Sequence, residues 1–153
     1  SDNPTMMNWK LKVIKDMEDV GIENLGRITQ KEVAKLYAEA SMLLYPSEFA
    51  EIDCLTVKKA QAYGCLPVVT DFGALDESVQ YGIKIHSEKT KDTWSKDFQF
   101  SFGVEKEEQK QAFVDAVVAL LKKPLKDTSE MRKWVEKFDW SKVGADWDNE
   151  LNK

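Results

Sequence analysis

The chain has 153 residues, of which 42% are hydrophobic, and because this is enough for one core we predict a single domain over residues 1–153. Its 22 basic residues are outnumbered by 27 acidic ones and form no stripe interleaved with aromatic residues, which argues against nucleic acid as a partner. No apolar run approaches the roughly 20 residues that span a bilayer, and the first residues lack the pattern of a signal peptide, so we expect a cytoplasmic protein without a transmembrane segment.

The first third of the chain predicts two helices and a short strand. Residues 4–20 carry apolar side chains at helical spacing, and Gly21 ends this pattern. A short strand is predicted between Ile22 and Ile28. Thr29 and Glu32 have the spacing of a capping box, which predicts that a second helix starts there.

The middle of the chain predicts a parallel sheet. Two short apolar runs, Met42–Tyr45 and Leu66–Val69, are typical of buried strands, and Ile83–Ile85 predicts a third strand at the edge. The intervening helix has small residues suited to close packing on a sheet, namely Ala60, Ala62 and Gly64. We therefore predict an α/β fold, a Rossmann-like parallel sheet with helices on both faces. Ligands of such sheets bind where the carboxyl ends of the strands enter loops.

The rest of the chain predicts helices and one loop. A short helix is expected over residues 75–80, a loop over 87–103, a long helix over 105–123, and another from Thr128 or Ser129 to Phe138. The core face of the long helix would comprise Phe113, Val117, Leu120 and Leu121. Ser141 is the predicted N-cap of a final helix.

Two cysteines, Cys54 and Cys65, fall in segments that we expect to be buried or in a loop. They form no paired framework for a metal, so we predict reduced structural thiols and no metal site.

Residues 45–77 carry a family resemblance. The matching positions are Tyr45, Pro46, Ser47, Glu51, Ala60, Ala62, Gly64, Pro67, Val68, Val69, Gly73 and Glu77. In this register the segment resembles the donor-binding core of GT-B glycosyltransferases of the retaining family 4 type, also called group 1. The ending Phe138-Asp139-Trp140-Ser141 is similar to a closing motif of the same enzymes.

The resemblance implies a glycosyltransferase of the hexosyltransferase-like class. Its donor domain would bind a nucleoside diphosphate sugar for transfer to an acceptor in glycan biosynthesis, with retention of configuration and no cofactor beyond the donor substrate. It also implies that the chain is a fragment, inactive in isolation, because the acceptor domain and first strand-helix unit of the family are not found in it. That acceptor domain and the nucleotide sugar would be its partners.

The resemblance also implies which residues form the site. Glu51 would contact the donor sugar, and Lys59 stands where the family commonly has a second Glu that holds the ribose. Because Lys donates only, we predict for it an electrostatic role toward the diphosphate, which would make it the second catalytic residue. The backbone amides of residues 53–55 would bind phosphate at the start of the next helix.

The loop after Glu51 departs from the common pattern. Ile52, Asp53, Cys54 and Leu55 stand where the family usually has Gly-Phe-Gly-Leu, and we include all four in the donor-binding site. Asp53 also suits a plain helix cap, which we favour over a ligand contact.

Three further polar residues have two interpretations each. Thr56 is either a phosphate contact or an ordinary helix-start residue. Arg27 matches in position a family loop beside the nucleobase, yet a solvated surface Arg fits equally well. His86, the only histidine, follows the edge strand far in sequence from Glu51, so we assign it a surface or packing role.

The principal alternative function is a non-catalytic nucleotide-binding or interaction module on the same fold. Lys59 in place of Glu is its best support. A phosphorylase or epimerase sharing the fold would need additional basic residues that the sequence does not supply.

Overall fold

A computed structural model describes residues 4–47, 49–87, 106–123 and 127–153. The chain divides into two compact units, Ser1–Val33 and Ala34–Lys153. The predicted loop over 87–103 falls outside the described residues except for Ser87.

The first unit contains helix α1, Pro4–Asp19, and the start of helix α2, Gln30–Glu39. The backbone closes α1 through two hydrogen bonds, from the Gly21 amide to the Glu18 carbonyl at 3.0 Å and from the Ile22 amide to the Met17 carbonyl at 2.8 Å. Gly21 has a φ of 77°, the left-handed conformation this helix ending requires. The predicted end of α1 is therefore confirmed.

The strand predicted between Ile22 and Ile28 is wrong, since those residues form no strand. The Ile22 amide is already used to close α1. The Gly26 amide bonds to the Asn24 side chain at 3.0 Å, which turns the backbone locally instead of leaving it available to a sheet.

The predicted capping box at the start of α2 is confirmed. The Thr29 amide and hydroxyl both donate to Glu32 Oε2 at 2.7 Å, and the Glu32 amide donates back to Thr29 Oγ1 at 3.3 Å. These bonds lower the pKa of Glu32.

The second unit is an α/β structure built on a three-stranded parallel sheet, compatible with a Rossmann-like fold. The strands are β1, Met42–Tyr45, β2, Leu66–Thr70, and β3, Ile83–Ile85, in the order β1-β2-β3. The helices that follow α2 are α3, Leu55–Ala62, α4, Leu75–Ser78, α5, Glu107–Leu121, α6, Ser129–Val135, and α7, Trp140–Leu151, with a 3₁₀ helix at Glu136–Phe138 between the last two.

The core lies around β2. Val68 and Val69 are both fully buried, and since successive side chains of a strand point to opposite faces, both faces of the sheet are covered at β2. One cluster joins β2 to α3 and α4 and comprises Cys54, Val57, Val69, Leu75 and Val79, with Leu43 and Tyr45 of β1 packed against it.

Helix α3 ends as predicted at Gly64, which has a φ of 84°. The Cys65 amide bonds to the Ala60 carbonyl at 2.9 Å, and Ala60 is fully buried. Ala62, also predicted to pack on the sheet, is exposed because it lies on the outer face of α3.

Three details of the C-terminal helices differ from the prediction. Helix α4 stops at Ser78 rather than at residue 80. In α5 Phe113 is buried, yet Leu121 is 69% exposed because it lies in the last turn, beyond the part of the helix that faces the sheet. Asp139, not Ser141, caps α7, since its carboxylate accepts from the Ser141 amide at 2.9 Å.

Candidate functional site

The three parallel strands deliver polar residues to one edge of the sheet. After β1 come Pro46, Ser47 and, four residues later, Glu51, whereas Asp71 directly follows β2 and His86 directly follows β3. Because the strands are parallel, their carboxyl ends share this edge, which is where open α/β sheets bind ligands.

Glu51 lines a cavity of about 340 Å³ at the end of β1, together with Tyr45, Pro46, Ser47 and Phe49. The Tyr45 hydroxyl donates to Glu51 Oε1 at 2.6 Å. The Cys54 thiol also lies close enough to Glu51 for the carboxylate to raise the pKa of the thiol. A carboxylate has about four lone-pair positions, so the bond from Tyr45 orients Glu51 and leaves it able to accept from a ligand.

The environment of this cluster suppresses ionisation of Tyr45 and Cys54. Burial and then the hydrogen bond to Glu51 raise the pKa of Tyr45. Burial, with Glu51 as the next cause, raises the pKa of the Cys54 thiol to about 11. Both groups therefore keep their protons near neutral pH, and Tyr45 remains a donor to the carboxylate.

The turn after β2 lies against the backbone of Glu51. The Ala74 amide donates to the Glu51 carbonyl at 3.1 Å. Gly73 has a φ of 60°, and a Cβ at that position would stand 3.3 Å from both the nitrogen and the carbonyl oxygen of Glu51. Glycine is therefore the residue that fits position 73, since the Cβ of any other residue would press on the Glu51 backbone.

Asp53 does not cap α3, which corrects the cap prediction. Cys54 is the N-cap residue, and no side-chain cap bond is formed. Asp53 instead pairs with Lys58 at 2.6 Å and accepts from the Ser78 hydroxyl at 3.4 Å. The ion pair one turn further along α3 competes with capping for the same carboxylate.

The remaining loop residues differ in accessibility. Ile52 is 99% exposed and Leu55 is 56% exposed, so both present apolar surface next to Glu51 in sequence. Thr56 is half-buried and lies near the phenol of Tyr37, whose pKa is raised by burial and lowered to a smaller extent by Thr56.

Lys59 does not line the Glu51 cavity. It lines a separate groove of about 710 Å³ between α3 and the segment from α6 to the start of α7, together with Arg132 and Lys142. In this groove Arg132 donates to the Tyr63 carbonyl at 3.1 Å, and Lys142 lies 3.6 Å from Glu136. Glu51 and Lys59, the two predicted catalytic residues, thus line different surfaces in the part of the chain that the structure describes.

Arg27, the predicted base-side residue, belongs to the first unit. It is exposed and follows the turn at Gly26 between α1 and α2.

A pair that the sequence reading did not identify stands at the same edge as Glu51. His86 Nδ1 lies 2.9 Å from Asp71 Oδ2, and the Ser87 amide donates to Asp71 Oδ1 at 2.6 Å. The signal was present in the sequence, because His86 directly follows one predicted strand and Asp71 comes two residues after another. With β2 and β3 paired in parallel and Thr70 opposite Ile85, the two residues must be neighbours.

Comparison with known proteins finds no matching family model, no matching curated protein and no matching solved structure. Among the described helices, none has the length and apolar character needed to cross a bilayer. Within the described ranges, no three His, Cys, Asp or Glu side chains are grouped so that they could hold a metal ion.

Proposed function

We propose that the chain is the donor-binding domain of a GT-B glycosyltransferase, with a Rossmann-like sheet that holds a nucleoside diphosphate sugar at its carboxyl edge. The observation that carries the proposal is the Glu51 carboxylate, oriented by Tyr45 in a cavity at the end of β1. A carboxylate in that position suits the recognition of sugar hydroxyls. The residue pattern of positions 45–77 supports the same assignment.

Different parts of the loop would bind different parts of the donor. Glu51 would accept hydrogen bonds from the sugar, and the first amides of α3 would donate to the diphosphate, where the helix dipole favours negative charge. Stabilising the leaving diphosphate in this way is the electrostatic part of glycosyl transfer. The transfer would proceed with retention of configuration, in a chain that also carries an acceptor domain.

The test is calorimetric titration of UDP-glucose, GDP-mannose and ADP-glucose into the chain and its Glu51→Gln variant. Loss of a charge-assisted hydrogen bond of about 1.5–3 kcal/mol should weaken binding of the recognised donor about 10- to 100-fold. Glu39→Gln is the matched control, because Glu39 is exposed at the end of α2 and precedes the opposite end of β1. Equal affinity of the Glu51 variant and the control would contradict the proposal.

A non-catalytic nucleotide-binding or interaction module is the second candidate, and the position of Lys59 favours it. Lys59 lines a groove distinct from the Glu51 cavity, together with other cationic side chains. Such a groove suits an anionic partner without any transfer chemistry.

Lys59→Glu separates the two candidates. A module that binds an anionic nucleotide through this groove should lose affinity for the conjugates in this variant, whereas a donor site at Glu51, outside the groove, should keep it. Calorimetry with the same three conjugates measures the difference, with Lys35→Glu, an exposed position on α2, as the control for added negative charge.

A further inference from the structure

The Asp71 and His86 pair at the carboxyl edge has a fixed geometry. Asp71 uses one carboxylate oxygen for the His86 ring and the other for the Ser87 amide. The His86 carbonyl in turn accepts from Gln109 of α5 at 3.0 Å. The ring is therefore held by its own bond to Asp71 and by the hydrogen bonds of the His86 carbonyl and the Ser87 amide.

The hydrogen bond to Asp71 determines what the ring offers to a ligand. An ionised carboxylate only accepts, so the proton in this bond resides on Nδ1. In the neutral ring Nε2 then carries a lone pair and acts as an acceptor. The His86 side chain is 81% exposed, so this acceptor is accessible from solvent.

The edge thus holds two oriented acceptors, one after β1 and one after β3. Neighbouring strands lie about 5 Å apart, so the ends of β1 and β3 are about 10 Å apart, with the end of β2 between them. At the turn after β2, Gly73 adds no side chain. The Glu51 backbone is bonded to Ala74 in the turn after β2, and the His86 ring is bonded to Asp71 directly after β2, so a ligand at the end of β2 would lie near both residues.

The chemistry of these groups indicates which part of the ligand binds here. Glu51 and Asp71 are both acidic, so this stretch of the edge is unfavourable for a phosphate. Hydroxyl groups are the natural partners of two acceptors.

From this geometry we infer that His86 Nε2 accepts a hydrogen bond from a hydroxyl of the donor sugar, with Asp71 as the residue that positions the ring. The inference rests on the proposed function and deepens it, because it gives the sugar a second contact and makes His86 a determinant of sugar specificity. The diphosphate stays at the start of α3.

The single histidine of the chain makes a direct test possible, since every imidazole signal in an NMR spectrum belongs to residue 86. Without ligand, the ¹⁵N shifts of the neutral ring should identify the Nδ1-protonated tautomer, and Asp71→Ala should reduce its share. An Nε2-protonated ring in the unmodified chain would overturn the inference.

The ligand arm compares UDP-glucose, GDP-mannose and ADP-glucose with UDP, GDP and ADP. The recognised sugar conjugate should shift the His86 Nε2 resonance, and the corresponding bare diphosphate should not. His86→Ala should weaken that conjugate about 5- to 10-fold and leave the diphosphate within about twofold, as expected for one neutral hydrogen bond. Lys84→Gln is the control, since Lys84 lies within β3 and is bound to Asp76.

The outcomes separate the two proposals. A conjugate whose binding depends on Glu51 but leaves the His86 resonance unmoved overturns this inference and keeps the proposed function. A bare diphosphate that shifts the ring equally well overturns the assignment to a hydroxyl. Failure of all three conjugates to bind overturns the proposed function together with the inference.

Discussion

At the scale of single residues, the centre of the candidate site is a carboxylate with two protonated neighbours. Tyr45 hydrogen-bonds to Glu51, Cys54 lies beside it, and burial keeps both neighbours in their neutral forms. The cluster therefore depends on pH at the alkaline end, where Tyr45 and Cys54 lose their protons.

Alkaline pH should destabilise the chain through Cys54. In the folded chain its pKa is raised to about 11, whereas an unfolded thiol titrates near about 8.5. A raised pKa means that the folded state holds the proton more tightly, so the associated stability is complete below about pH 8.5 and is lost as the pH rises toward 11. Tm should fall across this window.

Cys54→Ala removes that titrating group and should flatten the dependence of Tm on pH. The slope is the quantity to compare, because truncating a buried side chain lowers Tm at every pH. Residual slope is expected from Cys65 and Tyr45, whose pKa values burial also raises. An unchanged slope in Cys54→Ala would show that this thiol does not control the transition.

At the scale of elements, the end of α3 joins the sheet layer to the C-terminal helices. Gly64 ends the helix at a φ of 84°, and Arg132 of α6 lies over it and donates to the Tyr63 carbonyl. The absent side chain is what permits this approach, since a Cβ at Gly64 would stand 2.3 Å from Arg132 Nη2.

Gly64→Ala should therefore destabilise the chain, by about 1–2 kcal/mol for the left-handed backbone together with loss of the Arg132 bond. Gly144→Ala is the matched comparison, because Gly144 lies inside α7 and a Cβ there meets no atom within 4 Å. That change should stabilise by up to about 1 kcal/mol, as Ala is the better helix former. Urea unfolding measures both, and equal effects would refute the role given to Gly64.

Elements were predictable where the local sequence alone decides them. The strands at Met42–Tyr45 and Ile83–Ile85 match the prediction, and the second strand extends by one residue to Thr70, because apolar runs bounded by proline or glycine leave few alternatives. The strand over 22–28 failed because its amides are used locally, at Ile22 by α1 and at Gly26 by Asn24. Strand formation needs a pairing partner, which a local pattern does not reveal.

The candidate site was only partly predictable for the same reason. The position of Glu51 after β1 follows from the strand and the loop, but its bond to Tyr45 and its proximity to Cys54 depend on how the loop folds back. Asp53 was assigned to capping because sequence gives no warning of the Lys58 ion pair. Tertiary contacts decided these cases.

At the scale of the whole molecule, the central claim is that the carboxyl edge of the three-stranded sheet is a nucleotide-sugar site. The second unit has two candidate ligand-binding surfaces, the edge containing Glu51 and the groove containing Lys59. They differ in charge and position, so a binding map distinguishes them.

The measurement that tests this claim most directly is amide chemical-shift mapping during titration of the three sugar conjugates into the chain. We expect the recognised donor to shift the amide resonances of the loop from Ser47 to Thr56, of the turn at Asp71–Ala74, and of His86. Perturbations confined to Lys59, Arg132 and Lys142, or none with any conjugate, would contradict it.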